Sequence, residues 1–104
     1  MNKFIVTTTI NKPTLATLKF CRISQEKNWT FVIVGDTKTP HEAYEQLVKA
    51  YSPHVIYLTP ETQESLYPEL SQVIGWKSIQ RRNIGFVYAY QQGSDIIEIG
   101  RAHV

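Results

Sequence analysis

The chain has 104 residues, a length for one domain at most, and a domain of that size buries roughly two-thirds of its unfolded surface. Its 42% hydrophobic, 19% charged and 12% aromatic residues make an ordinary globular mixture. The formal charge of +2 is too small to define a nucleic-acid binder, so any anion site has to be local.

A single cysteine, Cys21, excludes an intrachain disulfide and a cysteine-based zinc site, and suits a reducing compartment. The opening MNKFIVTTTI passes straight into a strand-like run without an apolar signal region. No run approaches the ~20 apolar residues that cross a bilayer. A cytoplasmic location with no membrane segment is therefore expected. Nothing in the chain reads as a repeat, a low-complexity tract or a linker.

Lys3 to Ile10 is β-branched and apolar on both faces, as in a strand buried between two layers. Pro13 suits a helix first turn with Asn11 as its cap, and Leu15, Leu18 and Ile23 give a helical stripe that fades near Lys27. Trp29 to Val34 is a second apolar strand, stopped by Gly35 and Asp36. Thr39-Pro40 restarts a helix through about Ala50, with Ala43, Leu47 and Val48 at helical spacing. His54 to Leu58 is a short third strand. Thr59-Pro60-Glu61 then starts a helical segment with Leu66, Leu70, Val73 and Ile74 as its apolar face and a break at Pro68. Gly75-Trp76 separates this from a helix that Ser78 caps, and Ser94 to Ile97 begins a fourth strand. This order implies an α/β fold in three layers around a mainly parallel sheet, Rossmann-like.

Ligands of such folds collect at the carboxyl ends of the strands. Here those ends hold Thr7-Thr8-Thr9, Gly35-Asp36-Thr37 and Thr59. Two roles fit these residues: lining a crevice, or capping helices and closing turns. His41 and His54 read as surface or helix-start residues, and Trp29 and Trp76 as packing residues.

The segment SIQRRNIGFVYAYQQG is unusual for a packed helix. Ile79, Phe86, Val87 and Tyr90 define a stripe on which Asn83 lies, Arg82 borders it, and Arg81 falls elsewhere on the circumference, as a solvated residue would. Gly85 weakens a helix interior by about 1 kcal/mol relative to alanine, which suggests a close backbone approach. Asn83 and Arg82 fit either of two roles: bonding neighbouring loops and carboxylates, or facing an anion, since guanidinium matches phosphate geometry.

GWKSIQRRNIGFVYAYQQGSDII resembles the helix-then-strand segment that precedes the metal-binding aspartates of GT-A nucleotide-sugar glycosyltransferases. There an Arg-Asn-x-Gly element, an alanine and a glycine lead into a strand ending in Asp-x-Asp, places filled here by Arg82, Asn83, Gly85, Ala89 and Gly93. FIVTTTINKPT, VIVGDTKTP, YLTPETQ and RRNIGFVYAY, in that order, are similar to the STELLO-type glycosyltransferase family across residues 3–97. The resemblance implies a nucleoside diphosphate sugar as partner. Thr7, Thr8 and Thr9 would line the nucleotide, Asp36 would accept hydrogen bonds from its base or ribose, Arg82 would lie near the diphosphate, and Asn83 would hold the adjacent loop or the donor.

In that family the fourth strand runs on into two or three aspartates that hold a divalent cation, Mn²⁺ or Mg²⁺, against the leaving diphosphate. This chain instead finishes IIEIGRAHV, with Asp95 before the strand body and Glu98 alone. Residues 99–104 can be encoded by ATC GGA AGA GCA CAC GTC. Preceded by AG, which a GAG codon for Glu98 supplies, that string resembles a common short-read sequencing adapter. Residues 98–104 are thus expected to be a non-native tail, and residues 1–97 the amino-terminal, nucleotide-binding half of a truncated GT-A-like domain. The expected fragment has no catalytic residue, metal ligand or cofactor of its own and no transferase activity. The acceptor and the donor sugar are not legible, and no nucleic-acid partner is implied. The alternative is a small non-catalytic nucleotide-binding or protein-interaction α/β module.

Overall fold

The computed structural model describes residues 2–99. Among them, four strands form one parallel sheet: β1 (Lys3–Thr8), β2 (Thr30–Val34), β3 (Val55–Leu58) and β4 (Ile96–Ile99), in the spatial order β3-β2-β1-β4. Between β1 and β2 lies helix α1 (Leu15–Lys27), and between β2 and β3 lies α2 (His41–Tyr51). The path from β3 to β4 holds α3 (Pro60–Leu66), α4 (Pro68–Ile74), a 3₁₀ turn at Ile79–Arg81 and α5 (Arg82–Gln91). This is the three-layer, Rossmann-like α/β fold that the alternation of strand and helix patterns implies. No helix among the described residues is long and apolar enough to cross a membrane.

The two-residue strand period divides the core into two layers. Ile5, Phe31, Ile33 and Val55 face α1 and α2, where they meet Cys21, Phe20, Tyr44 and Leu47. Phe4, Val6, Val32, Val34 and Leu58 face the other way, onto Leu70, Ile74, Ile84, Phe86 and Ala89 of α4 and α5. Burying each large side chain contributes roughly 1.5–3 kcal/mol, so both faces of the central strands have to be apolar.

Several helix details depart from the sequence expectation. Helix α1 is capped by Thr14, which forms a capping box with Thr17, and so starts after Pro13. Asn11 instead offers its carbonyl to the Tyr44 hydroxyl at 2.6 Å. The buried stripe of α1 is Thr17, Cys21 and Ser24, while Leu15 is exposed. Small side chains on that face let the helix lie close to the sheet, and the cap sets their phase. Pro68 does break the next segment, and the break resets the helical phase: Leu70 and Ile74 pack inward, whereas Leu66 and Val73 are exposed.

The fourth strand starts two residues later than expected, after Asp95 has accepted the Asn2 N–H at 2.8 Å. Glu98 and Ile99 of the expected tail belong to β4, where Glu98 pairs with Lys3 at 2.8 Å. The remaining tail residues, 100–104, lie outside the described residues.

Candidate functional site

The chain adds β2 and β3 to one side of β1 and then crosses back to place β4 on the other. Its topological switch point therefore lies between β1 and β4, and the carboxyl ends of β1 and β2 rise beside it. Polar side chains do gather at this edge, and they largely bond to backbone groups of the neighbouring strands and loops. Thr8 Oγ1 donates to the Val34 carbonyl at 2.8 Å. Thr9 Oγ1 accepts from Asn11 N–H at 3.0 Å, and the Thr9 carbonyl accepts from Thr39 Oγ1 at 2.6 Å. Thr7 is buried within β1.

Asp36 is the hub of this edge, and it is buried. Its Oδ1 accepts from the Thr37 N–H at 2.6 Å and the Thr37 hydroxyl at 3.2 Å. Its Oδ2 accepts from the N–H groups of Lys77 at 2.7 Å and Ser78 at 3.3 Å. Two oxygens with about four lone-pair sites are thus committed to protein donors. Burial pushes the carboxyl pKa up, but the hydrogen bonds from Lys77, Thr37 and Ser78 outweigh it and hold it below the ordinary aspartate value. With its lone pairs so engaged, the Asp36 carboxylate ties the tip of β2 to the lead-in of α5.

The same loop is held from its other side by Arg81, which is fully buried. Its Nε and Nη2 bond Gln63 Oε1 at 3.2 and 2.6 Å, Nη2 reaches Ser71 Oγ at 2.9 Å, and Nη1 reaches the carbonyls of Ser71 at 3.0 Å and Gly75 at 3.3 Å. All five guanidinium N–H groups are thereby accounted for by neutral oxygens. The plane stacks on the Trp76 indole, 3.6 Å from its centroid. Burial lowers the guanidinium pKa, against the opposing pull of the Asp36 and Glu64 carboxylates.

This reverses the sequence reading of the two arginines. The inward stripe is Arg81, Ile84, Gly85, Tyr88 and Ala89, whereas Ile79 and Tyr90 are exposed. Arg82, the first residue of α5, is half-buried, and so is Asn83, whose Nδ2 donates to Gln80 Oε1 at 3.0 Å. Asn83 is thus off the core stripe. The signal for the correct phase was present: Gly85 and Ala89 are small residues four apart on the face that meets the sheet. A Cβ at Gly85 would overlap Val6 Cγ1 and come within 2.8 Å of Val34 Cγ2, so the close approach expected at that glycine is real.

Gln63, Ser71, Tyr57 and the cleft beside Trp76 were not singled out as site residues from the sequence. Tyr57 stacks on Tyr44 with centroids 5.4 Å apart, and its hydroxyl meets His41 Nδ1. His54 Nδ1 lies 3.1 Å from the Trp29 carbonyl. An open cleft of about 450 Å³ is lined by Glu64, Pro68, Ser71, Gln72, Gly75 and Trp76.

A divalent cation would need several hard oxygen ligands in one place. Among the described residues, no three His, Cys, Asp or Glu side chains gather to hold a metal ion, and the Asp36 carboxylate is already spent. The residues described do not fit such an ion. A scan against models of known protein families and a search of curated proteins both give no match to this chain.

Proposed function

We propose that the chain binds a nucleoside diphosphate sugar at the carboxyl edge of its sheet, in the manner of a GT-A-like glycosyltransferase of the STELLO type. The observation that carries the reading is the pair of hydrogen bonds that the Lys77 and Ser78 N–H groups donate to Asp36 Oδ2. It draws the tip of β2 against the loop that leads into α5, so that Arg82 and Asn83 open a helix beside the strand tips. Arg82 is the residue assigned to the diphosphate, because a guanidinium matches phosphate oxygens in geometry and charge. The resemblance assigns Thr7, Thr8 and Thr9 to the nucleotide, and Asp36 serves by holding the loop.

Isothermal titration of the folded chain with uridine and guanosine diphosphate sugars tests this. Saturable binding is expected, weakened roughly tenfold by Arg82→Ala through the loss of a charge-assisted contact. Lack of binding to every diphosphate sugar by a chain that melts cooperatively would overturn it, as would an unchanged affinity in the variant.

A second reading, a nucleotide-binding α/β module with no chemistry, fits the described residues, among which no three His, Cys, Asp or Glu side chains gather to hold a metal ion. That module binds equally with and without Mn²⁺. The transferase reading expects the cation to strengthen binding once the ligands that the resemblance implies are supplied.

A further inference from the structure

The loop from Gly75 to Ser78 is gripped by opposite charges. The Asp36 carboxylate takes the N–H groups of Lys77 and Ser78, and the Arg81 guanidinium takes the carbonyl of Gly75. Gly75 and Lys77 both have positive φ, 76° and 59°. For a lysine that conformation is uncommon and needs surrounding contacts to hold it. The residue fixed between these anchors is Trp76, whose ring lies against Arg81 on one side and borders the open cleft.

We propose that this cleft binds a nucleobase, stacked on the Trp76 indole with its N–H edge turned to Glu64. The inference rests on the reading of the chain as a nucleotide binder and names its base subsite. With every Asp36 lone pair spent on protein donors, recognition of the base falls to other residues. The cleft lies across the same loop that Asp36 holds, and its volume of about 450 Å³ is that of a small-molecule pocket.

Its lining matches the chemistry of a base. Glu64 offers a carboxylate that only accepts hydrogen bonds, and so selects rings with adjacent N–H donors, as on the edge of guanine. Gln72 supplies both a donor and an acceptor. Gly75 and Pro68 complete the wall. A pyranose fits less well, because its C–H groups seek an electron-rich aromatic face. A guanidinium stacked behind the indole draws that electron density away. Base stacking depends chiefly on dispersion and tolerates such a face.

The test is titration of the ¹⁵N-labelled full chain with guanosine, adenosine and methyl glucoside, following the two indole N–H resonances. A Trp29→Phe variant assigns the Trp76 signal, and the Trp29 signal is the internal control. Expected is a saturable shift of the Trp76 resonance with guanosine, a smaller one with adenosine and none with the glucoside. Glu64→Gln, a surface change, is expected to weaken guanosine roughly tenfold while leaving the rest of the spectrum intact. An unmoved Trp76 signal, a glucoside shift equal to that of guanosine, or an unchanged affinity in Glu64→Gln would each overturn the proposal. Guanosine carries no phosphate, so its failure is separable from that of diphosphate binding. If guanosine fails while a diphosphate sugar binds through Arg82, the base subsite falls and the broader reading stands.

Discussion

Replacing Arg81 with methionine isolates the contribution of the buried guanidinium. The side-chain volume is largely kept, and five hydrogen bonds and one ring contact are lost. The Ser71 carbonyl keeps the Gly75 N–H at 3.0 Å, and the half-buried Gly75 carbonyl can turn to water. Gln63 has no such escape. Its Nε2 is held by the carbonyls of Gly35 at 2.8 Å and Leu58 at 2.7 Å, so Oε1 stays aimed into the vacated space. The buried Ser71 Oγ loses its partner as well; each unpaired acceptor costs about 1–3 kcal/mol, and the lost cation–π contact costs about 0.5–2 kcal/mol. Relief of the guanidinium desolvation offsets part of this, which leaves a net loss of about 3 kcal/mol. Against a total of about 5–15 kcal/mol, that is a large fraction. In urea, with m near 1.5 kcal/mol/M, the midpoint should fall by about 2 M. Arg82→Met, at a half-exposed position, should stay within about 0.5 kcal/mol of the parent. A midpoint for Arg81→Met within about 0.3 M of the parent, with m unchanged, would refute the assignment of Arg81 as the inner tie of the loop.

Gly85→Ala should destabilise by about 2 kcal/mol in the same assay, because overpacking against Val6 and Val34 exceeds the gain of about 1 kcal/mol in helix propensity. Asp36 has a lowered folded-state pKa, so its stabilisation is complete above the unfolded value of about 3.9 and is lost as pH falls through the folded value. Midpoints measured from pH 6 downward should therefore drop more steeply in the parent than in Asp36→Asn, and parallel profiles would count against this role. Burial pushes the Cys21 thiol up to about 11, which makes it inert to a disulfide reagent at pH 8 until denaturant is added. Because the unfolded thiol ionises first, stability should also decline as pH rises above about 8.5.

The fold was legible because its signals are redundant. Each central strand is a continuous apolar run, each run ends in polar or glycine residues, and a helix-start signal follows, as at Thr59-Pro60. Parallel pairing then follows from the alternation alone. Helix phase was less legible, for a single reason seen in α1, α4, the 3₁₀ turn and α5. Their inward faces mix Thr17, Ser24, Ser71, Arg81 and Gly85 with apolar residues such as Leu70, Ile74 and Ile84, so hydrophobicity alone marks them weakly. Large apolar residues such as Leu15, Val73 and Ile79 point outward instead. A search for small residues four apart finds the inward face of α5 where a search for large apolar ones does not.

The gathering of polar residues at the carboxyl edge was legible, and their bonding roles were not. Polar residues at strand tips do mark the carboxyl edge, but sequence spacing carries no record of which lone pairs the protein itself will take. Asp36 and Arg81 are the clearest case, since each looks like a ligand-binding group by chemical type and each is filled by backbone and amide partners. Burial of opposite charges on the two sides of one short loop has a consequence for any ligand that touches it. The position of Trp76 is set by two residues that need not contact the ligand. A variant at either one should alter binding through the loop while the cleft's own side chains remain unchanged. On the proposed reading, ligand contact at this edge falls to the half-buried Arg82 and Trp76 and the exposed Glu64, and the buried charges hold the loop between them in place.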